Sequence, residues 1–281
     1  AGIEARLLAP FHYYGVWDAS VDYKEIPWRN GRFDPDKLSN KLATLARARH
    51  ALKEWRKRAQ RRTLAFCVSV RHAEFMATQF RVQGIDAAAV YAGSELARGE
   101  ALEQLADGRL AVIFSVDLFN EGVDLPAIDT VLMLRPTESK ILFLQQLGRG
   151  LRRTPEKAVC TVLDFVGQHR EEFRMHRRYA ALLGGSRKQI ERSIEQGFPY
   201  LPSGCHMQLD AVATQHVLEN IRKSIPTTWP ARAGELRRVA EADPAITLRN
   251  FLNQTGIELA EVYSNNRSWS ESIRSRDPEF F

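Results

Sequence analysis

The sequence predicts an α/β fold: a mostly parallel sheet covered by helices on both faces, followed by a mainly helical extension. Three observations carry this. Short apolar runs without internal alternation recur between residues 63 and 166, as expected of strands buried on both faces. Helical stretches of about ten residues separate them, the alternation that builds a parallel sheet. Beyond Gly167 the apolar spacing becomes helical, so the chain divides into residues 1–167 and 168–281.

The elements follow in order. Residues 6–16 read as a first or edge strand, and 38–58 as one long helix entered through a turn at Gly31, Asp34 and Pro35. The run TLAFCVSV at 63–70, rich in β-branched and aromatic residues, predicts a buried strand. Ala73, Met76, Ala77 and Phe80 then repeat at helical spacing up to Gly84. A strand at 87–91, a helix at 95–105, strands at 110–116 and 130–134, a helix at 140–147 and a strand at 158–166 complete the sheet. Helices are expected at 171–192 and 209–224, with punctuation at 197–204, a linker at 226–230 and two or three short helices in 234–281.

Composition narrows the function classes. The chain has 281 residues with 44% hydrophobic and 26% charged, an ordinary soluble composition that argues against coiled coil, collagen or wholesale disorder. No stretch is long and apolar enough for a transmembrane helix, so no membrane partner is expected. The beginning of the chain lacks the pattern of a signal peptide. Cys67, Cys160 and Cys205 are too far apart for a CxxC zinc site and odd in number, which points to a reducing cytoplasm. No metal ligand set is expected. The net charge of +6 admits an anionic partner without identifying it.

Two segments stand out chemically. SVDLFNEGVDLP at 115–126 follows an apolar strand, and ligands bind where the strands of a parallel sheet finish. The segment places Asp117, Asn120, Glu121, Gly122 and Asp124 there; it could equally be a strand-to-helix turn with Asp117 as a cap and Gly122 in a left-handed conformation. QQLGRGLRR at 145–153 places Gln145, Arg149 and Arg152 at spacings of four and three, which on one helix share a face. Two guanidiniums and an amide suit a multiply charged oxyanion; the alternative is a solvated, arginine-rich helix terminus.

In this order, the two segments resemble motifs V and VI of superfamily 2 (DEAD/DEAH-like) DNA and RNA helicases. Gln145, Gly148, Arg149 and Arg152 match Gln/His-x-x-Gly-Arg-x-x-Arg, and FCVSVRHAE at 66–74 is similar to motif IV. The flanks LLAPFHYYGV and LDFVGQHREEFRMH resemble a bacterial helicase family with a helical C-terminal extension, sometimes fused to a phospholipase-D-like nuclease. The resemblance implies a RecA-like three-layer second lobe. It implies ATP with Mg²⁺ held mainly by a first lobe of the same polypeptide, and Arg149, Arg152 and Gln145 as catalytic residues reaching the γ-phosphate. Gly122, Asp124 and Gly148 would border the nucleotide. Ser69, Val70, Arg71, His72, Arg98, Asp117 and Asn120 would line a single nucleic-acid strand, DNA favoured over RNA. Where motif V often has Thr, this chain has Val116.

Two sequence elements are missing. No glycine is followed by lysine, so there is no GxxxxGK[ST] loop, and no Asp-Glu pair occurs. The chain alone is expected not to hydrolyse ATP. A non-catalytic RecA-like module that binds nucleic acid or protein is the competing class; an unrelated nucleotide enzyme has only Gly148-x-Gly150 in its favour. Residues 47–62 hold eight basic residues and one acid, either a phosphate-tracking patch or a solvated helix face. His169 and His176 lack a third ligand at metal spacing. Phe11, His12, Tyr13 and Tyr14 could stack on bases or form sheet core, and Phe198, Tyr200 and Cys205 read as packing.

Overall fold

The structure, a computed structural model, describes residues 3, 5, 7–29, 32–118, 128–137, 139–155, 157–169, 173–223, 229–242, 245–255, 257, 259–263 and 268–270. In chain order it contains β1 (Phe11–Asp22), β2 (Trp28–Arg29), β3 (Arg32–Phe33), α1 (Pro35–Leu42), α2 (Leu45–Arg58), β4 (Thr63–Phe66) and α3 (Val70–Val82). Then follow β5 (Ala87–Val90), α4 (Arg98–Ala106), β6 (Val112–Ser115), β7 (Thr130–Met133), α5 (Lys140–Gly150) and β8 (Cys160–Gln168). The remainder is α6 (Met175–Leu183), α7 (Arg187–Glu195), β9 (His206–Leu209), α8 (Ala211–Lys223), α9 (Trp229–Ala242), α10 (Leu248–Thr255) and α11 (Leu259–Val262).

Seven strands form one sheet in the order β5-β6-β4-β7-β8-β1-β9, and every pairing in it is parallel. Strand residues alternate between two buried clusters. Leu64, Val131 and Val162 join α4, α5, α6 and α8 on one face; Ala65, Leu132 and Leu163 join α2 and α3 on the other. Such two-sided burial is why these strands read as unbroken apolar runs. The fold is RecA-like α/β.

Four expectations change. The helix expected at 38–58 is two: Ala43 leaves the helix, and Thr44 caps α2 by accepting from the Arg47 N–H at 3.4 Å. The stretch 171–192 breaks at Gly184 and Gly185, whose φ values of +67° and +79° favour residues without a Cβ; Ser186 and Gln189 then form a capping box for α7. β1 is an interior strand, because β9 pairs beyond it. β9 falls between the expected punctuation at 197–204 and the helix expected from 209, being four residues long and followed almost at once by α8. The expected linker falls partly on 224–228, outside the described residues, and α9 begins at Trp229.

The core of the sheet does not stop at Gly167. Phe173, Tyr179, Ile190, Met207, Val217 and Ile221 belong to the cluster under α5, so packing changes between α8 and α9. Leu236, Val239, Phe251 and Val262 form a separate small cluster. Arg174 ties the two together, donating to the Thr255 carbonyl at 3.1 Å and pairing with Glu235. Two fully buried ion pairs cross the interior: Arg47 with Asp18, and Arg178 with Asp164.

Candidate functional site

A parallel sheet has one edge where strands finish, the carboxyl edge, and one where they begin, the amino edge. Ser69, Val70 and Arg71 follow β4, Arg98 follows β5 at the start of α4, and Asp117 follows β6. These residues meet at the carboxyl edge. Ser69 caps α3, accepting from the His72 N–H at 3.1 Å, and its hydroxyl lies 2.6 Å from that of Ser39 on α1. Arg71 donates to Asn40 on α1. The first turn of a helix carries N–H groups without intrahelical partners at an end with partial positive charge, an arrangement suited to a phosphate.

The turn after β6 is held from both sides. The Leu118 N–H bonds the Val116 carbonyl at 2.6 Å, with Asp117 between them at φ +52°. A left-handed conformation at a non-glycine residue costs about 1–3 kcal/mol and persists only where surroundings impose it. Arg98 Nη1 lies 3.4 Å from the Leu118 carbonyl oxygen, and Arg135 Nη1 donates to Asp117 Oδ1 at 2.5 Å. Arg135 escaped sequence reasoning; its only signal is its place just after an apolar strand. Asn120, Glu121, Gly122 and Asp124 lie outside the described residues.

His72 is a correction. Its side chain is fully buried, so its imidazole cannot meet a strand at the surface. Burial, and secondarily the charge of Arg47, push it down to about 3. It is a neutral core residue whose Nδ1 faces the Val68 N–H at 3.5 Å. In the basic segment 47–62, Arg49, Lys53, Arg56, Lys57 and Arg61 are exposed, while Arg47 and Arg58 have structural partners. Arg47 is buried against Asp18, Tyr23 and the Leu134 carbonyl; Arg58 pairs with Glu54 and sits 5.0 Å over the Tyr14 ring. Trp55 is buried and donates to Thr63. His169 lies stacked between Tyr23 and Phe173 at 4.4 and 4.0 Å. Among the described residues no group of three or more His, Cys, Asp or Glu could hold a metal ion.

The second group sits elsewhere. A helix joining parallel strands runs back along them, so α5 ends at the amino edge. A Cβ added to Gly150 would come within 2.4 Å of Cys160 Sγ and 2.7 Å of Val131 Cγ2, atoms at the beginnings of β8 and β7. Gln145 and Arg149 lie four apart on α5, both half-buried, but Arg152 does not share the helix face. The helix closes at Leu151, and Arg152 pairs by its backbone with Leu8, just ahead of β1. The exposed Arg152 is thus placed by a bridge between two chain segments, and Arg149 by the helix.

The two neighbouring glycines differ. Gly150 is closed in by β7 and β8, whereas a Cβ at Gly148 would meet nothing within 4 Å. The segment around the open backbone at Gly148 carries two guanidiniums, which only donate, and the Gln145 amide, which both donates and accepts. Ile141 is 70% and Leu144 39% exposed on the same outer face of α5, an apolar margin beside the donors.

The fold is RecA-like α/β, with two polar edges on one parallel sheet. Residues 41–154 match the family model described as the helicase conserved C-terminal domain. It is similar to IRC3 of Saccharomyces cerevisiae, provisionally named an ATP-dependent helicase, with 34% identity over 37% of this chain and 15% of that protein. A 51.5 kDa protein of a Lactococcus phage is 28% identical over 59% of this chain and 37% of its own length. The DNA 3'-5' translocase XPB2 of Sulfurisphaera tokodaii is 33% identical over 29% of this chain and 18% of that protein. The chain spans 15% to 37% of the length of these relatives. Among the described residues no helix is long and apolar enough to cross a membrane.

Proposed function

We propose that this chain is the C-terminal motor lobe of an ATP-dependent nucleic-acid helicase or translocase, working with a phosphate-binding first lobe of the same polypeptide. The observation that carries this is the family match over residues 41–154, which ends on Gln145-x-x-Gly148-Arg149-x-x-Arg152. In this reading Arg149 and Arg152 meet the γ-phosphate as charge develops on it, with Gln145 as a polar neighbour and Gly148 giving the nucleotide room. ATP with Mg²⁺, bound mainly on the first lobe, would supply the free energy of the cycle. Asp124 and Gly122 would border the nucleotide on the other side. The apolar margin of Ile141 and Leu144 supports a face that another lobe covers.

At the carboxyl edge Ser69, Val70, Arg71, Arg98 and the turn at Asp117, with Asn120 beyond it, would grip one strand through its phosphates. Such binding is independent of base sequence and weakens with salt. DNA is favoured, in line with the name of XPB2. Residues 1–167 would be the motor lobe proper and 168–281 its extension, in a cytoplasmic protein. The test joins this chain to its phosphate-binding lobe and measures ATP hydrolysis with single-stranded and duplex DNA and RNA. Wild type should be stimulated and Arg149→Ala and Arg152→Ala should not; full stimulated activity in both variants overturns the reading. The chain on its own should show no strand-stimulated hydrolysis.

A further inference from the structure

Arg135 belongs to none of the matched motifs, yet it stands in the middle of the carboxyl edge. It follows β7, and Asp117 follows β6, with β4 lying between the two strands. The pair therefore reaches across two strand spacings, about 10 Å, above the end of β4. That is where Ser69 caps α3. On the far side of the same turn, Arg98 holds the Leu118 carbonyl. Arg135 and Asp117 are 29% and 60% exposed, so solvent and solutes reach both.

A carboxylate is a poor partner for a phosphate, since like charges repel. Asp117 nonetheless sits among groups that suit one: the first turn of α3, Arg71 and Arg98. Its carboxylate pairs with the Arg135 guanidinium. A guanidinium offers five donors in a planar fork that matches carboxylate and phosphate equally well.

We infer that Arg135 is a further contact for the backbone phosphate of a single strand, held in place by Asp117 in the free protein and released to the phosphate when a strand crosses the edge. This rests on the reading of the carboxyl edge as the strand-binding surface. Asp117 is then a competitor that keeps Arg135 extended over β4, and its own carboxylate gives way on binding.

The test measures binding of a fluorescein-labelled oligothymidylate to this chain by anisotropy, at salt between about 50 and 200 mM. Arg135→Gln should weaken binding about tenfold, the worth of one charge-assisted contact. The slope of log affinity against log salt should shrink by about 0.7, the increment for one phosphate on a single strand. Arg135→Lys should keep the slope and lose part of the affinity. Asp117→Asn should tighten binding, and that gain should vanish when Arg135→Gln is added. Arg71→Ala is the control for the surface as a whole. If Arg71→Ala weakens binding while Arg135→Gln keeps the affinity and slope of wild type, the inference is wrong and the surface assignment stands. If wild type fails to bind at low salt, both fall.

Discussion

The two edges of one sheet differ in how their polar groups are held. At the carboxyl edge four side chains of the candidate surface are braced by a neighbouring element: Ser69 by Ser39, Arg71 by Asn40, Arg135 by Asp117, and Arg98 on a backbone carbonyl. At the amino edge the order comes from packed backbone. Gly150 is wedged between Cys160 and Val131, and Arg152 is fixed by the Leu8 bridge. The lesson is that side-chain networks allow partners to exchange, as the proposed gripping and releasing of a strand would require. A backbone wedge instead fixes position, which would suit the proposed role of these donors, meeting a transition state without reorganising. The edges lie about 16 Å apart, the length of α5 at 1.5 Å per residue, so substitutions at one should leave the other's readout intact.

The largest expected separation comes from Arg152→Ala. In the two-lobe polypeptide it should lower stimulated hydrolysis by about 10³-fold or more, with strand affinity of the chain unchanged; a parallel loss of affinity would merge the two regions. Next, Arg47→Met strips Asp18 of its buried partner beneath the carboxyl edge and should cost about 3–5 kcal/mol, read as a lowered urea midpoint. Gly150→Ala should cost about 1–3 kcal/mol through overpacking against Cys160 and Val131, with hydrolysis reduced further than strand binding. Ser69→Ala, which removes the α3 cap, should cost about 1 kcal/mol and weaken strand binding alone.

Acid sharpens the same contrast. His72 and His176 are both pushed down to about 3, by burial first and by neighbouring arginines second. A histidine whose folded value lies below its unfolded value near 6.5 favours the folded state fully above pH 6.5. That stability is lost as pH falls from about 6.5 toward 3, at up to about 1.4 kcal/mol per pH unit for each group. His72→Gln should flatten that loss, measured as urea midpoints across the window; an unchanged acid profile would mean that His72 is not a buried neutral group.

The strands of the sheet were legible because burial on both faces leaves an unbroken apolar run. β9 was not, since four residues abutting a helix give no period to read. Thr44 explains why one expected helix is two: a residue able to cap a helix inside a helical pattern marks a break when the chain must turn. Gln145, Arg149 and Arg152 were legible as a motif, but their geometry was not, because the helix closes at Leu151 and spacing alone assumes it continues. His72 was misplaced for a related reason: in a sequence, a histidine in the first turn of a helix looks the same whether it faces solvent or the sheet. Arg135 carried no spacing signal at all, as its partner Asp117 lies in the turn after a strand two positions away in the sheet.

The account turns on the two edges holding separate sites, and amide chemical-shift mapping of the isotopically labelled chain titrated with a single-stranded oligonucleotide tests that most directly. Shifts should concentrate at Ser69–Arg71, Arg98, Asp117, Leu118 and Arg135, with Gly148–Arg152 unmoved. Shifts centred on Gly148–Arg152, with the carboxyl edge silent, would contradict it.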